Sequence, residues 1–123
     1  MPVLTASDLD RFLAADPNGP VVMLNLVRFA PGGREKYDQY IARLTESGVR
    51  DRYGVSIVYA GVGHPSLVAA EGGDWDLVAM FGYPSRRHFV DMVNDPAYQE
   101  FEHLRAEAVA TAVLQPTTPA LGS

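Results

Sequence analysis

Asn94-Asp95-Pro96-Ala97-Tyr98-Gln99-Glu100-Phe101-Glu102-His103-Leu104-Arg105 reads as the sharp start of an amphipathic helix. Asp95 suits the N-cap, and Pro96 follows at the first helical position, where a missing N–H costs nothing. Tyr98, Phe101 and Leu104 recur at three-residue steps, with Arg105 on the side of Tyr98 and Phe101. Such a helix needs a flat apolar surface to lie on, and the rest of the chain supplies it.

Upstream, Ser85 caps a helix whose buried side is Phe89, Val90, Met92 and Val93. Trp75 to Tyr83 precedes it as a strand, apolar nearly without a break after Asp76. Ser56 to Val62 is an earlier strand, followed by a Gly63-His64-Pro65 turn, a short extended run Leu67-Val68-Ala69-Ala70, and a second turn at Glu71-Gly72-Gly73-Asp74. Arg34 to Arg52 has a helical face of Tyr37, Tyr40, Ile41 and Leu44, with a break or kink expected at Gly48 and a left-handed cap at Gly54. Val21 to Phe29 is the first strand, interrupted by Asn25. Before it, Thr5 and Asp8 fit a capping box opening a short helix with Leu9, Phe12 and Leu13 on one face. Downstream of the opening stretch, Ala108 to Leu114 reads as a fourth strand, and Gln115-Pro116-Thr117-Thr118-Pro119 ends regular structure.

The order βαββαβ after a leading helix predicts an α+β fold of the ferredoxin-like kind, an antiparallel sheet with helices on one face. The 123 residues are read as one domain, 1–123, with its core at about 20–116, the leading helix at 5–16 and a tail at 117–123. The strands are apolar on both parities, so the second face of the sheet cannot remain wet. A homodimer with the sheets face to face is the expected solution.

The balance of 47% hydrophobic and 20% charged residues is that of a globular domain. A net charge of −5 argues against nucleic acid and anionic membranes, which call for a basic footprint. No apolar run reaches about 18 residues, and no signal segment opens the chain, so a cytoplasmic protein without membrane contact is expected. There is no cysteine for a thiolate or a thiolate metal site. No cofactor is expected. Gly61-Val62-Gly63-His64-Pro65-Ser66 lacks the third glycine of a dinucleotide fingerprint, and the three histidines are widely spaced.

The βαββαβ order, Met23-Leu24-Asn25-Leu26-Val27-Arg28-Phe29, the Tyr37/Tyr40 helix, Asp95-Pro96-Ala97-Tyr98 and Leu104-Arg105 together resemble the dimeric α/β-barrel superfamily. Within it, they resemble a domain-of-unknown-function family whose helix begins near Asp-Pro-x-Tyr. The resemblance implies a small-molecule cleft between sheet and helices, one per protomer. It does not name a reaction, because the superfamily includes cofactor-independent monooxygenases, isomerases, cyclases, haem enzymes and proteins without known activity. The leading helix and the tail are departures that could cover a pocket mouth or a partner.

Polar residues at apolar places are the candidates for chemistry. Asn25 lies mid-strand, either touching substrate or satisfied by backbone or by Asn25 of a second copy. If the extended run pairs as a hairpin, His64 and Glu71 meet as an oriented general base; otherwise they are loop residues. Asp76 is either an ion-pair partner of Arg28 or a catalytic carboxylate. Arg105 either takes a substrate carboxylate or pairs with Asp76 or Glu71. Tyr59 is a further positioning candidate, and Tyr37 and Tyr40 are core residues with potential as donors. Arg86-Arg87-His88 is either an anion subsite or a solvated run. The expected activity is that of a small cofactor-independent enzyme, working on a small organic molecule by proton transfer, isomerisation or cyclisation, with His64 and Glu71 as acid and base. A non-catalytic binding or structural dimer and a cofactor-free monooxygenase are the competing expectations.

Overall fold

The computed structural model describes residues 4–120. Its elements in chain order are α1 (Ala6–Ala15), β1 (Val21–Phe29), α2 (Gly33–Glu46), α3 (Val49–Arg52), β2 (Ser56–Val62), β3 (Leu77–Tyr83), α4 (Arg86–Val93), α5 (Pro96–Gln99), α6 (Glu102–Ala108) and β4 (Val109–Thr117). The four strands form one antiparallel sheet in the order β2-β3-β1-β4, which is the ferredoxin-like arrangement.

Strand alternation decides what each face carries. On β1, Val21, Met23, Asn25 and Val27 are buried beneath the helices, while Val22, Leu24, Leu26 and Arg28 point the other way and are only half-covered. The register extends both sets. Tyr83, Phe81, Ala79 and Leu77 of β3 stand opposite the first set, and Gly82, Met80 and Val78 opposite the second. The core therefore lies on the helix side, where Tyr37, Tyr40 and Leu44 of α2 meet Phe89 and Met92 of α4 and Tyr98 and Phe101 beyond them.

Local chemistry places the helix ends as expected. Thr5 and Asp8 form a reciprocal capping box, Ser85 Oγ accepts from His88 N, and Asp95 accepts from Ala97 N with Pro96 at the first turn. Gly48, at φ 82°, separates α2 from α3, a conformation that costs glycine little and most side chains much. Gly33 is needed for a different reason: a Cβ there would lie 2.0 Å from Ala108 O, where the start of α2 crosses the end of α6.

Three elements depart from the sequence reading. The helix opened at Asp95 does not run on through Arg105. Phe101 (φ −124°, ψ 4°) breaks it into α5 and α6. Phe101 is wholly buried against Tyr40 and Tyr98, and that packing outweighs the continuous axis its neighbours favour. Leu67 to Ala70 forms no strand. Instead, Arg28 grips the connection between β2 and β3 through Asp74 O and Gly72 O and stacks on Trp75. Finally, β4 continues through Gln115 and Pro116 to Thr117, paired with β1. Proline is tolerated because β4 is an edge strand. Of the tail expected after Gln115, residues 121–123 lie outside the described residues.

Candidate functional site

A cavity of about 620 Å³ opens between the helix-facing side of the sheet and the helices. Met23 and Asn25 of β1, Phe81 and Tyr83 of β3 and Leu114 of β4 form its floor. Helices α2, α4, α5 and α6 wall it. The leading helix closes another side with Ala6 and Leu9, preceded by Leu4. Phe12 seats that helix edge-to-face on Phe89, which in turn packs edge-to-face on Tyr83. Arg86 reinforces the seat by donating to Phe12 O at 3.1 Å and stacking over the Phe12 ring. Arg86 therefore works on α1 and not on an anion, while His88 is engaged with Ser85 Oγ.

The polar part of the cavity centres on Arg105. Helix α6 carries its guanidinium towards Asn25, whose Oδ1 accepts from Nη2 at 3.4 Å. That bond is long, and Asn25 Nδ2 makes a better one to Met23 O at 3.2 Å. Asn25 is only 4% exposed and lies on the helix side, so it cannot meet a second Asn25 across the open face. The expected ion pairs of Arg105 with Asp76 or Glu71 do not form: among the described residues no carboxylate lies within 4.0 Å of it.

Four phenols wall the same cavity: Tyr37, Tyr40, Tyr83 and Tyr98. Tyr40 and Tyr98 join hydroxyl to hydroxyl at 2.8 Å. The Tyr37 hydroxyl is buried with no hydrogen-bond partner. Burial pushes all four phenols above their ordinary range, Tyr98 up to about 12, while the charge of Arg105 opposes the rise at each. Near neutrality they are therefore uncharged and act as O–H donors or neutral acceptors. At the rim, α6 presents Glu102 and His103, both exposed.

The other sequence candidates lie elsewhere. His64 and Glu71 are exposed on the connection between β2 and β3 and do not reach the cavity: the hairpin that would have joined them does not form, and Arg28 holds the connection as a loop. Asp76 pairs with no arginine; its carboxylate accepts from Phe29 N at 2.9 Å. Tyr59 stands opposite Met80 on the uncovered face of the sheet, 54% exposed. Of the site residues read from the sequence, the structure brings together Asn25 and Arg105. Tyr83 and Tyr98 were missed as polar groups, since both read there as apolar positions of a strand and a helix. The alternation Leu77, Ala79, Phe81, Tyr83 was the available signal for the first. Among the described residues no three His, Asp or Glu side chains gather as a metal site, and no helix is long and apolar enough to cross a membrane.

No family model matches the chain, and no curated protein matches it. Solved structures do. The hydroxynitrile lyase from Passiflora edulis is similar at a TM-score of 0.62 and 14% identity, over 87% of this chain and 100% of that one. A dimeric ferredoxin-like protein of unknown function from Thermobifida fusca is similar at 0.50 and 14%, over 81% and 91%. At such identities the likeness is one of fold. The RPA0582 protein of unknown function from Rhodopseudomonas palustris stands nearer, with 33% identity and a TM-score of 0.83 over 98% of this chain and 97% of that one. On that identity and coverage, the chain belongs to the family of the Rhodopseudomonas palustris protein.

Proposed function

We propose that the protein is a small enzyme that moves a proton on a small organic molecule held between the sheet and the helices. The observation that carries this is Arg105: among the described residues, a guanidinium without a carboxylate partner, set beside neutral phenols in a cavity with a largely apolar floor. Such a group stabilises negative charge that develops on a substrate oxygen, and does so best where water is excluded. Arg105 would hold that oxygen with Asn25 as its positioning partner, and the phenols would supply further O–H donors. His103, at the rim on the same helix, replaces His64 and Glu71 as the candidate proton acceptor, imidazole being suited to that task near neutral pH. The Passiflora edulis neighbour supports the reading to the extent that this fold houses an enzyme of small organic molecules.

The unit we propose is a homodimer. Val22, Leu24 and Leu26 of β1, Val78 and Met80 of β3 and Val113 of β4 give the sheet a continuous apolar outer face that no helix covers. The Thermobifida fusca neighbour is a dimer.

The experiment is a thermal-shift screen of small carbonyl compounds and organic acids, followed by NMR of the hits in deuterated solvent. Exchange or turnover that is lost in His103→Ala and in Arg105→Ala is the expected result. Hits that bind yet neither exchange nor turn over would leave a binding protein in place of an enzyme.

A further inference from the structure

We propose that Arg105 is the anchor of a carboxylate subsite and that the ligand is a monocarboxylate with an aryl or alkyl body. This rests on the cavity being the substrate site and names the class of molecule it takes.

A guanidinium carries five N–H donors in a planar fork. Arg105 spends one of them, on the 3.4 Å contact to Asn25 Oδ1. A half-buried charge facing apolar walls is costly unless something pairs with it. The surroundings offer no counter-charge: the four phenols are neutral, Asn25 is an amide, and Glu102 lies exposed at the rim outside ion-pair distance. The arginines and lysine that do form ion pairs, Arg11, Arg34, Lys36 and Arg52, are all surface groups. The guanidinium is thus left without an ion-pair partner, and a bound carboxylate would meet the fork with two parallel hydrogen bonds.

The remainder of the cavity defines the rest of the ligand. Leu44, Phe81, Phe89, Met92 and Leu114 line it, and its volume suits a small organic molecule. Arg105 is the one arginine or lysine in the lining, and Glu102 at the rim disfavours a second anionic group. One acid group with an apolar body fits this arrangement, whereas a dicarboxylate or a phosphate dianion does not.

The test is binding of cinnamate, phenylacetate and octanoate to the full chain by calorimetry, each against its primary amide. At least one acid is expected to bind about tenfold or more tighter than its amide, the discrimination a charge-assisted pair supplies. Arg105→Gln should bring that acid down to the level of the amide. Arg105→Lys, which keeps the charge and loses the fork, should retain part of the difference and serves as the readout if the glutamine variant does not fold. Equal affinity of acid and amide throughout, or a preference for acid that persists in the glutamine variant, would overturn the subsite. Acid binding without proton exchange would keep the subsite and remove the enzyme. Exchange that survives Arg105→Gln would remove Arg105 from the proposed chemistry while the acid-against-amide comparison still decides the subsite.

Discussion

Arg105 Nη2 and Asn25 Oδ1 stand 3.4 Å apart, a single polar link between α6 and the buried face of the central strand β1. Removing the amide leaves the guanidinium without its one protein partner. Asn25→Ala is therefore expected to lower stability by about 1–2 kcal/mol, the range for a buried polar group deprived of its bond. Urea unfolding measures this. Ligand affinity should fall as well, because the arginine loses the contact that aims it.

Tyr37 makes the opposite prediction for stability. Its hydroxyl is buried and bonded to nothing, so Tyr37→Phe removes an unsatisfied group and should leave the free protein unchanged or more stable by up to about 1 kcal/mol. A clear loss of stability without ligand would show that the hydroxyl has a partner after all.

Alkali should unfold this protein through its phenols. Tyr98 has its pKa raised from 10.0 to about 12, chiefly by burial, and Tyr37, Tyr40 and Tyr83 are raised for the same reason. Above the unfolded value, the unfolded chain has released phenolic protons that the folded chain still holds, so stability falls as pH rises from about 10 towards the folded values. Unfolding free energy measured from pH 9 to 12 should slope downward, and Tyr98→Phe should make that slope shallower. A flat profile would count against the burial of these groups.

Asp95 responds to acid. Its carboxylate accepts from Tyr53 Oη, Ala97 N and Arg52 Nη1, tying α3 to the start of α5. The Tyr53 hydroxyl and the Ala97 amide are the main reasons its pKa lies below 3.8, and a lowered carboxylate pKa contributes stability above the unfolded value that is lost as pH falls through the folded one. Asp95→Ala should reduce the urea midpoint at neutral pH without changing the slope, and should flatten the acid limb below pH 4.

In the proposed homodimer the outer sheet face is the contact between chains. Light scattering of the full chain at micromolar concentration should give the mass of two chains. Leu24→Asp, which places a charge in the middle of that face, should give one. A stable wild-type monomer would remove the shared-barrel arrangement.

Features set by near neighbours in sequence were legible from the sequence. The Thr5–Asp8 box, the break at Gly48, the Ser85 cap and the Asp95-Pro96 start each depend on residues within a few positions, and each is found. The ferredoxin-like class followed from the order of the elements. What escaped depends on distant partners. Phe101 breaks its helix because Tyr40, far off in sequence, gives it a buried berth. His64 and Glu71 miss the cavity: their hairpin does not form, and Arg28 holds two carbonyls of the loop. Asn25 and Arg105 could be singled out as misplaced polar residues, but their meeting across the cavity needed the sheet and α6 to be assembled.

The leading helix contributes Ala6 and Leu9 to the cavity yet no strand to the sheet. None of its residues is fully buried, and its seat is the small cluster of Phe12, Phe89 and Arg86. Its sequence can therefore drift without disturbing strand register or the core beneath α2. Framework and cavity mouth are in this way carried by separate parts of the chain: the segment from Leu4 to Gly19 lines the cavity while the four strands and their register stand without it.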